Sequence, residues 1–326
     1  MPHLRRSTSF QVAAGLLVVS LSCVTTAWAR ETCAPASDTP AQAAADFSAM
    51  SLRARLQPAH PDSLRAFSSA SKPAKVHVLS EREWILVERA INALPTLHRQ
   101  MLQRHLARLS FVDAPDSPGT ALTREHDCPD GAPMFDITVR ADVLDTSLSE
   151  FLTGKDARLF TADASGYRLQ MDAGTVPALE YLLLHEATHV VDHALKITAN
   201  GGPFRDVWAD YRGLAAPLSQ GPLAQTLYRQ QPPQPLAQAP ALYEALAESP
   251  FVSLYSTASA GEDFAELVAW HVLSRSLDVR VTIWIRDAAG KLVARIDPLA
   301  SKTVQARMKK ADEMLRDPQL LKDAHK

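Results

Sequence analysis

The sequence predicts an α+β fold, a helix-rich domain with a small mixed sheet. Three observations lead to this prediction: several long segments repeat apolar residues at helical spacing, short alternating segments lie between them, and a hairpin signal lies near the C-terminus. The chain has 326 residues, of which 46% are hydrophobic and 21% charged. This length and composition are sufficient for a large hydrophobic core.

The first half of the predicted domain contains helices followed by strands. A helix is expected from Glu81, and Pro95 separates it from a second helix that reaches Leu109. Strands are expected at 109–112, 134–139 and 167–171, where apolar residues are continuous or alternate. A long helical segment at 176–197 and a short helix at 204–211 follow.

The second half begins with a loop-rich insertion at 214–241, which contains six prolines. A helix is expected from Gly261 to Ser276. Two strands, at 279–285 and 291–296, flank a turn ending in Gly290 and predict a hairpin. A charged helix at 301–316 completes the domain.

The first 29 residues have the pattern of a secretory signal peptide. Arg5 and Arg6 precede an apolar stretch at 12–24, and Ala27-Trp28-Ala29 is typical of a cleavage site. The apolar stretch is shorter than the roughly 18 residues of a membrane anchor, which disfavours that alternative. Lipidation at Cys23 and twin-arginine export are weaker alternatives. We therefore expect an exported protein, periplasmic or secreted, with no stable membrane span after signal cleavage.

Residues 30–75 are rich in Ala, Ser, Asp and Pro, and predict a leader, an arm or a propeptide before a domain at 76–326. After signal cleavage two cysteines remain, Cys33 and Cys128. In an oxidising compartment they can form one disulfide, and the alternative is two unpaired thiols.

The net charge of −2, without a block of like charges, argues against nucleic-acid binding.

The segment His185-Glu186-Ala187-Thr188-His189 has the pattern H-E-x-x-H within the long predicted helix. Residues four apart lie on one face of a helix, so His185 and His189 can bind one metal ion. Glu186 lies beside that ion and can accept a proton from water. The motif predicts a catalytic zinc site, which requires a third protein ligand.

The third ligand is not the next histidine along the helix. One large class of zinc peptidases would require Gly at 192 and His at 195, but the chain has Asp192 and Leu195. A straight helix does not easily bring a third successive turn to the same ion, so His193 is expected to be exposed or to lie outside the ligand set.

Glu262 and Glu266 are the better candidates, because they lie one turn apart on the later helix. One carboxylate can bind the metal while the other hydrogen-bonds a ligating histidine. Two alternatives need no metal: Ser259-x-x-Glu262 can form a capping box, and Glu266 can be a solvated helix residue.

The patterns H-E-x-x-H-x-V-D and Y-x-T-x₄-E-x-F-A-E resemble those of the lethal-factor-type gluzincin metallopeptidases. The resemblance covers His185 to Asp192 and Tyr255 to Glu266. It implies a zincin-like catalytic domain that binds one zinc ion per chain. The implied zinc ligands are His185, His189 and Glu262.

The resemblance also implies roles for three residues around these ligands. Glu186 would be the general base, Tyr255 would stabilise the oxyanion, and Asp192 would orient the site. The leading hypothesis is an exported zinc-dependent endopeptidase that acts on a peptide or protein substrate. An inactive zincin-like binding or envelope-associated protein, and a zinc hydrolase acting on another bond, are the alternatives.

Overall fold

The computed structural model describes residues 49–127, 133–317 and 320. It confirms the α+β fold class, with many helices and small mixed sheets. The predicted signal peptide, the first part of the 30–75 segment, Cys33 and Cys128 lie outside the described residues.

Helices contribute most of the regular structure. They are α1 (Pro61–Phe67), α2 (Glu81–Ala93), α3 (Thr96–His105), α4 (Leu148–Ala157), α5 (Ala178–Leu195), α6 (Ala239–Ala247), α7 (Ala260–Ser276) and α8 (Lys302–Leu315). The strands are β1 (Lys75–His77), β2 (Leu106–Asp113), β3 (Ala121–Asp127), β4 (Pro133–Arg140), β5 (Phe160–Thr161), β6 (Arg168–Asp172), β7 (Gln234–Pro235), β8 (Thr282–Arg286) and β9 (Leu292–Ile296).

The main sheet has the strand order β1-β2-β4-β3. It is mixed, because β2 and β4 are parallel whereas β1–β2 and β3–β4 are antiparallel. The edge strand β3 was not predicted from the sequence.

The predicted hairpin is present as β8–β9, and Gly290 has a φ of 83° in its turn. Strand β6 pairs antiparallel with β8 and completes a three-stranded sheet. Strands β5 and β7 form a separate parallel pair.

Helices α5 and α7 pack against each other and form the centre of the domain. Every residue of α5 from Ala178 to Thr188 is buried, and so is most of α7. A helix that is apolar on nearly all sides is typical of a core position. Polar groups on these two helices therefore need partners within the protein.

Two local predictions were wrong. The second helix ends at His105 and not at Leu109, because β2 begins at Leu106, which pairs with Phe135 of β4. The spacing of Leu106 and Leu109 fits a helix as well as a strand. The hydrogen bonds to β4 make this segment a strand. Residues 204–211 form turns instead of a helix, closed by Asp210, whose carboxylate accepts from the N–H of Gly213 at 2.6 Å.

The described part of the 30–75 segment packs onto the domain. Arg55 is fully buried and donates to the carbonyl oxygens of Leu102, Gln103 and Leu106 at 2.6–2.8 Å. Leu102 and Gln103 lie in the last turn of α3 and Leu106 directly follows it, so the guanidinium supplies donors where the carbonyls of a helix end have few intrahelical partners. Burial lowers the pKa of Arg55 to about 10, and its guanidinium remains a cation at neutral pH.

None of the helices in the described part of the chain combines the length and the apolar character needed to cross a membrane.

Candidate metal centre

Three side chains converge on one point between α5 and α7. Nε2 of His185 lies 3.0 Å from Oε2 of Glu262 and 3.1 Å from Nε2 of His189. The distance from Nε2 of His189 to Oε2 of Glu262 is 3.4 Å. Ligand atoms at about 2.0–2.1 Å from a tetrahedral zinc ion are separated by about 3.3 Å, which agrees with these distances. This group of side chains can hold a metal ion.

The helix geometry explains the positions of the three candidate ligands. His185 and His189 lie one turn apart on α5, so both imidazoles leave the same face. Glu262 lies in the first turn of α7, 77 residues from His185. The site therefore requires the packing of α5 on α7.

The capping-box alternative for Glu262 explains only half of the contacts. Oγ of Ser259 accepts a 3.2 Å bond from the N–H of Glu262, so Ser259 does cap α7. In the complete capping box of α2, Glu83 also accepts a 2.7 Å bond from the N–H of Ser80. The carboxylate of Glu262 instead contacts the two histidines.

Glu266 lies behind His185, with one oxygen 3.2 Å from Nδ1. Its own oxygens accept hydrogen bonds from Tyr181, from Ser253 at 2.5 Å and from Trp270 at 3.3 Å. These contacts hold Glu266 next to His185, a position from which a carboxylate can support an imidazole that binds a metal.

The ammonium of Lys155 lies 3.6 Å from Oε1 of Glu266. Burial alone would raise the pKa of Glu266, but Lys155 and the contact with His185 lower it to about 2. Glu266 is therefore an anion at neutral pH. With this carboxylate facing Nδ1 of His185, Nε2 of the same ring is directed towards His189 and Glu262.

The neighbouring carboxylates raise the pKa of both histidines. Burial opposes the charge, but contacts with Glu262 and Glu266 raise the pKa of His185 to about 10. The pKa of His189 is also raised, because Glu262 outweighs burial. Burial would raise the pKa of Glu262, yet the two histidines hold it well below its usual value. The carboxylates thus favour positive charge at this point, which a divalent cation can supply in place of protons.

Glu186 occupies the wall of the cleft next to His185 and does not join the ligand group. The hydroxyl of Thr123, on edge strand β3, donates to Oε2 of Glu186 at 2.6 Å. Glu186 is buried, with 6% of its surface exposed. Its carboxylate is therefore held in place while still facing the cleft.

Tyr255 precedes α7 in a short 3₁₀ helix, Tyr255–Thr257. Its ring stacks on the imidazole of His185, with 5.9 Å between centroids and 28° between planes. Burial and the carboxylates of Glu262 and Glu186 raise the pKa of Tyr255 well above its usual value. The hydroxyl consequently keeps its proton and can act as a donor in the cleft.

The remaining residues on α5 have other partners. Both carboxylate oxygens of Asp192 bind Thr198, one through its N–H at 2.7 Å and the other through its hydroxyl at 2.6 Å. Asp192 therefore anchors the loop after α5, directly beyond the ligand turns. Nδ1 of His193 contacts Glu125 of β3 at 3.1 Å, and its side chain is 37% exposed.

Sequence reasoning missed five side chains that support the site: Thr123, Lys155, Tyr181, Ser253 and Trp270. A signal existed for Tyr181, which lies one turn before His185 on the same helix face, and for Trp270, which lies one turn after Glu266. The other three come from separate elements, and no spacing in the chain relates them to the H-E-x-x-H motif.

The donor set of two imidazole nitrogens and one carboxylate oxygen fits a divalent metal that leaves a further position open. No protein-family model matches the chain, and no curated protein or solved structure was found to be significantly similar to it.

Proposed function

We propose that this protein is an exported zinc-dependent endopeptidase of the lethal-factor gluzincin type. One observation carries the proposal: the group formed by His185, His189 and Glu262 adjoins a cleft that His185 lines together with Glu186 and Tyr255. A ligand group alone binds metal. A carboxylate and a phenol beside it add a proton acceptor and a proton donor.

Zinc is the metal that this donor set favours. Three protein ligands of the His-His-Glu type are common in catalytic zinc sites, and the spacing of the donor atoms suits a tetrahedral ion. When bound there, zinc would supply a Lewis acid that polarises a peptide carbonyl and acidifies water.

Glu186 would move the proton. Its carboxylate would accept a proton from the attacking water as the oxygen adds to the carbonyl carbon, and would return it to the leaving amine as the C–N bond breaks. The hydrogen bond from Thr123 fixes one oxygen of Glu186 and leaves the other available to the water.

Tyr255 would assist at the carbonyl oxygen. Negative charge develops on this oxygen in the transition state, and a protonated phenol can donate a hydrogen bond to it. Stacking on His185 orients the Tyr255 ring beside the ligand group.

The edge strand β3 favours a peptide substrate over other substrates. In the described residues β3 pairs only with β4, and its Thr123 contacts Glu186. An extended peptide can add to such an edge through main-chain hydrogen bonds, which brings its carbonyls past the site.

The export part of the proposal depends on the sequence of residues 1–29. The positive start, the short apolar stretch and Ala27-Trp28-Ala29 support signal-peptide cleavage. N-terminal sequencing of protein from the culture medium or periplasm tests it, and a mature N-terminus at Arg30 is expected.

Metal analysis and peptide hydrolysis test the enzymatic part together. The purified protein should contain about one zinc per chain. His189→Ala and Glu262→Ala should lose the metal, whereas the exposed Glu244→Gln should keep it. Glu186→Gln should keep zinc and lose hydrolysis of a peptide library.

The results separate the hypotheses. A folded protein without zinc would overturn the metal site. Zinc that depends on His189 and Glu262, without hydrolysis of any peptide, would favour the inactive binding protein instead. Full activity in Glu186→Gln would contradict the proposed mechanism.

A further inference from the structure

The cleft beside the metal centre has a volume of about 320 Å³. Its apolar walls include Phe151 of α4, Leu182 of α5, and Leu227 and Tyr228 of the Pro-rich segment. Leu227 is 39% exposed, so an apolar side chain faces solvent at this cleft. The volume lies at the lower end of the range for ligand sites, roughly 300–1,000 Å³, and suits one large side chain with its neighbouring backbone.

The Pro-rich wall is fixed in place. The hydroxyl of Tyr228 donates to Asp156 at 3.2 Å, and its ring meets that of Tyr255 edge-on with 4.9 Å between centroids. Arg229 donates to the carbonyl oxygens of Thr257 and Ala258 at 3.1 and 3.2 Å. The apolar wall is therefore part of a formed cleft beside His185 and Glu186.

Arg158 supplies a cation to the same cleft. Its Nε donates to the carbonyl of Lys155 at 3.3 Å, and its NH1 donates to the carbonyl of Pro118. These bonds use two of the five N–H groups of the guanidinium. Within the described ranges, no carboxylate lies at ion-pair distance from Arg158, whereas the other cation of the cleft, Lys155, contacts Glu266.

Given the proposed peptidase function, we propose that this cleft selects substrates with a large apolar side chain next to the scissile bond and a nearby carboxylate that pairs with Arg158. The apolar walls contact the side chain. The unused N–H groups of Arg158 match the two oxygens of a carboxylate. This group is either an acidic side chain or the free C-terminus of the substrate.

Binding to the zinc-loaded Glu186→Gln variant tests this inference without requiring turnover. The probes are three peptides based on acetyl-Ala-Ala-Ala-Phe-Ala: the free acid, the C-terminal amide, and the amide with Asp as its last residue. A fourth peptide, the free acid with Gly in place of Phe, tests the apolar contact. Dissociation constants are measured by calorimetry at low and high salt.

We expect at least one carboxylate peptide to bind about fivefold more tightly than the neutral amide, with a smaller ratio at high salt. Preference for the free acid alone identifies the C-terminus as the source, and preference for the Asp amide identifies an acidic side chain. Introducing Arg158→Gln into the Glu186→Gln variant should bring the ratio of the two dissociation constants close to one. Introducing Arg280→Gln, at an exposed position, should leave that ratio unchanged. The Gly peptide should bind more weakly than its Phe counterpart.

Equal binding of charged and neutral peptides, an unchanged ratio in Arg158→Gln, or no binding of any peptide would overturn the inference. Wild-type protein is assayed with the same peptides. Selective binding without cleavage would refute the peptidase function but support the proposed selectivity. Cleavage without selectivity would support the peptidase function but refute the proposed selectivity.

Discussion

The hydroxyl of Thr123 donates a 2.6 Å hydrogen bond to Oε2 of Glu186, and thereby connects the edge of the main sheet to the helix that carries both histidines. A second, longer contact of 3.3 Å reaches the backbone carbonyl of Glu186. The carboxylate proposed to move the proton is thus positioned by a residue from another element.

Replacing Thr123 with Val should lower activity and leave metal binding intact. Val has the same shape but no donor, and a hydrogen bond to a charged group contributes about 1.5 kcal/mol, so kcat/KM for a cleaved peptide should fall about tenfold. Thr123→Ser, which keeps the hydroxyl, is the matched control. Unchanged kinetics in Thr123→Val, or loss of zinc in that variant, would show that Thr123 does not act through Glu186.

Replacing Glu266 with Gln should weaken zinc binding. The change removes the negative charge that lies 3.2 Å from Nδ1 of His185, and loss of such a supporting group typically lowers metal affinity about 10- to 100-fold. Competition with a chromophoric chelator measures this affinity, and Glu244→Gln is the exposed control. A dissociation constant equal to that of the wild type would contradict the supporting role of Glu266.

Zinc uptake at pH 7 should release protons. The contacts with Glu262 and Glu266 outweigh burial and raise the pKa of His185 to about 10, so the metal-free imidazole is protonated, whereas a ligating imidazole is neutral. Calorimetry in buffers of different ionisation enthalpy should detect at least one proton released, and affinity should rise about tenfold per pH unit. Zinc binding without any pH dependence would refute this.

The raised pKa of His185 should also make the stability of the protein depend on pH when zinc is removed. Because the folded pKa of His185 exceeds the unfolded value of about 6.5, its contribution to stability is present below that pH and is lost as the pH rises towards 10. Denaturation in the presence of a chelator measures it.

His98 should make the protein sensitive to acid. It is fully buried, its Nε2 lies 3.0 Å from Oγ1 of Thr188, and that hydroxyl itself donates to the carbonyl of Leu184. Nε2 must therefore donate to Thr188, which suits a neutral ring. Burial lowers the pKa of His98 to about 3, so the unfolded state binds more protons between about pH 6.5 and 3.

Stability should consequently fall as the pH decreases through this window, by up to about 1.4 kcal/mol per pH unit from His98 alone. His98→Gln should reduce this slope, as measured by urea denaturation at several pH values with a chelator present. Parallel stability curves for wild type and variant would contradict the assignment.

Much of the fold could be predicted because helices and hairpins have local patterns. The spacing in α5 and α7 predicted both central helices, and the residues around Gly290 predicted the β8–β9 hairpin. Strand β3 could not be predicted, because Leu122 is its only large apolar residue and polar side chains predominate. An edge strand next to the cleft can keep such a composition, since its pairing with β4 supplies the stability.

The sequence by itself determined that His185 and His189 share a helix face and that Glu262 and Glu266 share another, since residues one turn apart are neighbours in any helix. Only the tertiary structure decided that Glu262 contacts the histidines instead of completing a cap. The tertiary structure also brought Thr123 and Lys155 to the site. These contacts join separate elements, and burying α5 against α7 and the sheet is what brings their polar groups within bonding distance.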